Sequence, residues 1–244
     1  MVNPWQTLAR SGAHWRVVTR SRLVAPLALA FGLTACGTPV LDVAPQPKPL
    51  VYVALGASDA VGIGAGNPER ESWVAVLASE MPADTRLVNL GISGSLLRDA
   101  LAQQLPVALD AAPDIVTVWL AVNDFNARVP LDEYSAQLDT LLDALTTRTT
   151  AHVLVANIPN LMAVPLYNQV PRDLLRAELA RWNAVIADGA ERHGATLIDL
   201  YGLGPELARR PDLVGADGFH PSTEGHRRLA DVMWATIVAN RLLP

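Results

Sequence analysis

The segment Asp217-Gly-Phe-His220 is the most informative short stretch of this 244-residue chain. An aspartate and a histidine three residues apart on one loop let the carboxylate orient the imidazole while the other ring nitrogen faces a nucleophile. Taken alone, the same residues also read as an Asp-capped turn with an exposed histidine. A serine hydroxyl is a poor nucleophile until such a base takes its proton. Ser58, in Gly56-Ala-Ser-Asp59, follows a β-rich run and stands at a strand-to-loop turn; by itself it equally reads as a turn or helix-capping serine. Attack on a carbonyl builds negative charge on oxygen, and that charge needs N–H donors. Gly91 in Asn89-Leu-Gly-Ile-Ser-Gly94 can expose a backbone N–H, and Asn123 in Ala121-Val-Asn-Asp124 can offer a side-chain amide. Each has an ordinary reading too, the glycine as a turn residue and the Asn-Asp pair as a helix cap.

All four segments follow runs that read as strands. Val51–Leu55, Arg86–Leu90, Asp114–Leu120, His152–Ala156 and Thr196–Leu200 are short, apolar and nearly without alternation, as expected of strands buried on both faces. Helical patterns lie between them, over Ser72–Ser79, Leu96–Gln104, Leu131–Thr147 and Arg172–His193, with a last one from Ser222 to about Leu242. This alternation predicts right-handed crossovers and an α/β domain with a mostly parallel five-stranded sheet between two helical layers. Ligands of such open sheets bind outside the carboxyl ends of the strands, where the four segments stand.

In order, the four segments resemble the four blocks of the SGNH (GDSL-like) hydrolase family: Ser, then Gly, then Asn, then Asp-x-x-His, over Leu50 to Leu242. The resemblance implies a flavodoxin-like three-layer α/β/α sandwich. It implies that Ser58 is the nucleophile, His220 the general base and Asp217 the acid that orients it, with Gly91, Asn123 and the Ser58 backbone N–H forming the oxyanion hole. The activity it implies is a serine esterase or lipase working through an acyl-enzyme without a cofactor. Two segments depart from the family pattern: Gly-Ala-Ser-Asp stands for Gly-Asp-Ser-Leu, and Ala-Val-Asn-Asp for Gly-x-Asn-Asp. Neither change removes a group that takes part in attack or proton transfer, so activity is expected to survive. The rival readings are a non-catalytic surface module binding carbohydrate or a partner, and an acyltransferase using the same serine. Short-chain esters, lysophospholipids, thioesters and O-acetylated sugars all suit the same catalytic parts. The proline-rich stretch Ile158–Pro171 is expected to line an acyl pocket through Met162 and Leu166.

The amino-terminal part carries a different message. Arg16, Arg20 and Arg22 precede an apolar run, Leu23–Ala35, too short to span a bilayer comfortably. It ends in Leu33-Thr-Ala-Cys36, which resembles the lipobox of bacterial lipoproteins. Residues 1–35 are therefore expected to be a signal peptide, 36–49 a lipidated Cys36 with a Pro-rich tether, and 50–244 the hydrolase domain. The expected location is extracytoplasmic, in the cell envelope, with the membrane as a partner through the lipid on Cys36. Cys36 is the only cysteine, which excludes an intrachain disulfide. A net charge of −5 with a single lysine, Lys48, leaves no basic face for nucleic acid. Gly62-Ile-Gly-Ala-Gly66 fails as a dinucleotide loop, because Asn67 occupies the third glycine position. No zinc-binding H-E-x-x-H is present, and His226, beside Arg227 and Arg228, is expected on a solvated helix face.

Overall fold

Val51–Gly56 presents apolar side chains to both sides of its pleat, and in the computed structural model it forms strand β1 with all six residues buried. The structure describes residues 48–243; the expected signal peptide, the lipobox Cys36 and most of the tether lie outside them. Four further strands follow, β2 (Arg86–Asn89), β3 (Ile115–Trp119), β4 (His152–Ala156) and β5 (Thr196–Ile198). Their order across the sheet is β2-β1-β3-β4-β5, with every neighbouring pair parallel. Register is carried by Val53 opposite both Val88 and Val116, by Val116 opposite Val153, and by Leu154 opposite Thr196. The inner strands are almost wholly buried, whereas the edge strands β2 and β5 are only partly so. An edge strand has one flank without a neighbour, so its continuous apolar pattern is relaxed.

The helices are α1 (Ser58–Val61), α2 (Pro68–Glu71), α3 (Trp73–Glu80), α4 (Leu97–Gln103), α5 (Leu105–Asp110), α6 (Val122–Ala127), α7 (Leu131–Arg148), α8 (Arg172–Arg192), α9 (Gly204–Leu207) and α10 (Thr223–Ala239). Five of these occupy the stretches expected from periodicity. The others are only four to six residues long, too short for a helical repeat to show in the sequence. No helix among the described residues is long and apolar enough to cross a membrane.

Successive strand residues point to opposite faces of the sheet, so each strand feeds two cores. Val51, Val53 and Leu55 join Val116, Val118, Val153 and Val155 beneath α4, α5, α7 and α8. Tyr52, Ala54, Ile115, Leu154 and Ile198 face α3 and α10. The result is the expected three-layer sandwich. α7 meets the first core with Tyr134, Leu138, Leu141, Leu142 and Leu145, the spacing of one helical face. Burying each such leucine contributes about 1.5–3 kcal/mol, and truncating one to alanine costs about 2–5 kcal/mol.

Candidate active site

The carboxyl end of β1 is held by a residue far along the chain. Gln104, buried at the end of α4, accepts from the Gly56 N–H (3.0 Å) and donates to the Gly56 carbonyl (3.0 Å), while its amide also reaches Ser95 Oγ (3.2 Å). The Gly56 carbonyl also accepts from the Ile92 N–H (3.2 Å), so Gln104 and the chain leaving β2 together hold the end of β1. Ser58 is the first residue of α1, so its backbone N–H has no acceptor within the helix and faces outward.

The loop before α10 is built to present a histidine. Val214 and Pro221 form an isolated antiparallel bridge, and the Gly215 N–H donates to the His220 carbonyl (2.7 Å). Ser222 then caps α10, accepting from the Gly225 N–H (3.0 Å). Inside this loop Asp217 receives the N–H groups of Phe219 (2.9 Å) and His220 (3.0 Å) on one oxygen, while His220 Nδ1 lies 2.6 Å from the other. Burial works to raise the Asp217 pKa, but the bond from His220 and the two backbone donors outweigh it and hold the carboxyl below its ordinary value. An ionised carboxylate only accepts hydrogen bonds, so Nδ1 carries the ring proton and Nε2 is left as an acceptor. His220 Nε2 lies 2.9 Å from Ser58 Oγ, across 162 residues of sequence. The ring is seated edge-to-face on Phe219 at a centroid distance of 4.7 Å.

The glycine-rich run after α1 buttresses this loop. Gly64, at φ +97°, packs so tightly on the Pro221 carbonyl that a Cβ would collide with it, and the Gly66 N–H donates to Thr223 Oγ1 (2.8 Å). Histidine 226 differs from expectation. It is fully buried rather than on a solvated face, accepting from the Trp73 N–H at Nδ1 (3.2 Å) and donating from Nε2 to the Ile63 carbonyl (3.0 Å). Burial lowers its pKa. The sequence carried a signal for this, because His226, Ala230, Met233 and Ile237 share one face of α10.

Asn123 sits in the first turn of α6, with its amide donating to the Ser95 carbonyl (3.0 Å), and both residues line the pocket at Ser58. Its neighbour Asp124 points inward and receives the Leu97 N–H (3.1 Å), tying α6 to the start of α4; burial raises this carboxyl to about 6. Gly91 does not occupy the expected place. Its N–H donates to Asn89 Oδ1 (3.0 Å), it lies outside the pocket lining, and a Cβ there would meet Ala60 Cβ at 2.8 Å. It is a glycine because the chain leaving β2 passes close to α1. Gly94, which is not among the donors expected from the sequence, stands next to Ser95 at φ +79° with open space where a Cβ would be. Among the described residues its N–H makes no hydrogen bond. The only trace of this in the sequence is that Gly91-Ile-Ser-Gly94 holds two glycines.

The acid after the serine has also found a place. Asp59 accepts from Trp73 Nε1 (2.9 Å), and burial raises it to about 6 against the pull of that bond and of nearby backbone N–H groups. Ser58, Asn123 and His220 open onto a mainly apolar cavity of about 120 Å³. The stretch 158–171 folds into two 3₁₀ turns, Leu161–Ala163 and Pro165–Tyr167. It reaches the cavity through Pro159, Leu161 and Val164, not through the expected Met162 and Leu166. Met162 packs on the core and Leu166 projects into solvent at 57% exposure; with three residues per 3₁₀ turn it is Leu161 and Val164 that share the cavity face. Among the described residues no group of three or more His, Cys, Asp or Glu side chains is placed to hold a metal ion.

Comparison with known proteins adds an independent line. The chain is 29% identical over 158 residues to an acetylxylan esterase of Geobacillus stearothermophilus, covering 59% of this chain and 68% of that protein. Among solved structures, the psychrotrophic esterase EstA of a Pseudoalteromonas species aligns with a TM-score of 0.64 at 22% identity, over 78% of this chain and 98% of that one. A lipase/acylhydrolase of Enterococcus faecalis aligns with a TM-score of 0.63 at 18% identity, over 78% of this chain and 96% of that one. At these identities the structures show a shared fold. The model of the GDSL-like lipase/acylhydrolase family matches residues 38–228, a span that encloses Ser58, Asn123, Asp217 and His220. The chain belongs to the GDSL-like lipase/acylhydrolase (SGNH) family and is a carboxylic ester hydrolase.

Proposed function

We propose that the protein cleaves carboxylic esters through an acyl-enzyme on Ser58. Ser58 Oγ attacks the ester carbonyl as its proton passes to His220 Nε2, and Asp217 stabilises the imidazolium that forms. The oxyanion is held by the N–H groups of Ser58 and Gly94 and by the Asn123 amide hydrogen that does not go to the Ser95 carbonyl. His220 then gives its proton to the leaving alcohol oxygen. Water repeats the sequence on the acyl-enzyme and releases the acid and free Ser58. The observation that carries this reading is the unbroken hydrogen-bonded chain Ser58–His220–Asp217, at 2.9 and 2.6 Å, opening onto a cavity. Substrates are small-molecule or carbohydrate esters, the latter being suggested by the name of the Geobacillus relative. A fluorophosphonate probe tests the nucleophile: wild type is expected to be labelled and Ser58→Ala is not. Folded wild-type protein that takes no label would favour the non-catalytic module, and equal labelling of Ser58→Ala would move the nucleophile elsewhere.

Cys36 is, in the same reading, the diacylated first residue of the mature protein, with residues 37–49 as a tether and the enzyme outside the cytoplasm. The basic flank, the short apolar run and Leu-Thr-Ala-Cys support it. Metabolic labelling with a palmitate analogue is expected to mark wild type and spare Cys36→Ser. Label retained in Cys36→Ser would refute the anchor.

A further inference from the structure

The cavity extends well past the groups that chemistry requires. Beyond Ser58 its wall is Trp119, Leu200, Leu203, Leu207, Leu213 and Leu229, a lobe between the end of β5, α9 and the first turns of α10. α10 contributes Gly225, against Pro221, and then Arg228 and Leu229 one turn further along, so its lining recedes from the His220 loop. The lobe is bounded there by an ion pair. Arg228 Nε and Nη2 donate to Glu206 Oε1 (2.7 Å) and Oε2 (2.9 Å), a two-pronged bridge whose side chains are only 33% and 30% exposed.

We propose that this lobe binds an unbranched alkyl chain of the ester, up to about five carbons counted from the reacting ester group, with the Glu206–Arg228 bridge as its stop. The inference rests on the reading of Ser58 as nucleophile. Size sets the upper limit: an apolar cavity of ~150 Å³ holds one benzene, six carbons, so the whole cavity of about 120 Å³, from Ser58 to the end of the lobe, holds about five, the carbons of the reacting ester group included. Composition sets the class, since an acetyl group would leave most of these leucines facing water, whereas an alkyl chain covers them. The bridge sets the limit. Each guanidinium N–H and carboxylate oxygen in it is already paired, and a methyl pressed against it would strip the remaining water from both charges without offering a bond. The chain can belong to either half of the ester, and two substrate series separate the halves.

Purified protein is assayed with aryl esters of rising acyl length and, separately, with acetate esters of rising alkyl alcohol length. In one series kcat/KM is expected to climb about four-fold per methylene, about fifteen-fold over two, and to peak near five carbons before falling. The series that peaks identifies the half that enters the lobe. Leu203→Trp, which fills the lobe, is expected to lower the pentanoyl-to-acetyl preference, or the pentyl-to-methyl preference, at least ten-fold. The double variant Glu206→Ala/Arg228→Ala is expected to move the peak to longer chains. Should either variant fail to fold, as thermal melting would show, the wild-type series still decides. A maximum at acetyl and methyl in both series, or a peak unmoved in a folded double variant, overturns the proposal. Fluorophosphonate labelling run alongside separates the two failures: labelled Ser58 with flat series removes the lobe alone, and unlabelled wild type removes the nucleophile reading beneath it.

Discussion

Replacing Asp59 by asparagine isolates a cost that the fold carries next to Ser58. Burial lifts this carboxyl from 3.8 to about 6, although Trp73 Nε1 and backbone N–H groups favour its charged form. The folded protein therefore holds the Asp59 proton more tightly than the unfolded chain does. With the folded pKa above the unfolded one, Asp59 supports the fold most at low pH. Its contribution falls as pH rises from about 4 to about 6 and stays at its minimum above that. At about 1.4 kcal/mol per pH unit, the rise is worth up to about 3 kcal/mol. Asparagine has the same shape, keeps an oxygen for Trp73 Nε1 and does not titrate. Urea unfolding of wild type and Asp59→Asn at pH 4, 5, 6, 7 and 8 gives two stability curves, and their difference removes every other titrating group. That difference is expected to move by about 2–2.5 kcal/mol in favour of the variant between pH 4 and pH 7 and then to level off. Its constant part reports the hydrogen bonds that an amide cannot accept, and only its pH-dependent part reports the buried charge. A difference that stays flat with pH, or one that moves toward wild type, would refute the reasoning.

Other expectations follow from the same geometry. Asp217→Asn keeps an oxygen for the Phe219 and His220 N–H groups but turns an amide toward His220 Nδ1, favouring the wrong tautomer; kcat on an aryl ester is expected to fall about 10⁴-fold with melting nearly unchanged, and a loss under ten-fold would remove Asp217 from the mechanism. Asn123→Ala is expected to lower kcat about 10²- to 10³-fold, roughly 3–4 kcal/mol, with KM little altered. A rise in KM alone would make Asn123 a substrate-binding group. Gln104→Leu leaves the buried Gly56 N–H without a partner, while the Gly56 carbonyl keeps the Ile92 N–H, so denaturant stability is expected to fall by about 1–3 kcal/mol; a neutral change would show that β1 ends correctly without the clamp.

Much of the architecture was legible because burial on both faces demands continuous apolar runs. Val51–Gly56, Ile115–Trp119 and His152–Ala156 were legible as buried strands for that reason, although the same expectation held for the two runs that prove to be edges. The long helices α7 and α8 were legible from their repeating apolar faces, while four-residue elements such as α1 and α9 offered no period to read. The Asp217–His220 relation could be read locally, since a bond between residues three apart on a loop needs no distant partner.

Which groups converge was decided only in three dimensions. Ser58 meets His220 because β1 ends beside the loop that leads into α10, and Gln104, Gly64 and Thr223 hold those ends in place; none of these supporting contacts has a local pattern. Of the two glycines in Gly91-Ile-Ser-Gly94, only the fold shows that Gly91 yields room to Ala60 while Gly94 keeps a free N–H at φ +79°. The residue types of a serine ester hydrolase were therefore present in the chain, because chemistry demands particular atoms. The proposed oxyanion donors and the shape of the apolar lobe depend on which backbone and side-chain groups are left unpaired after packing. That outcome is a property of the whole fold rather than of any segment.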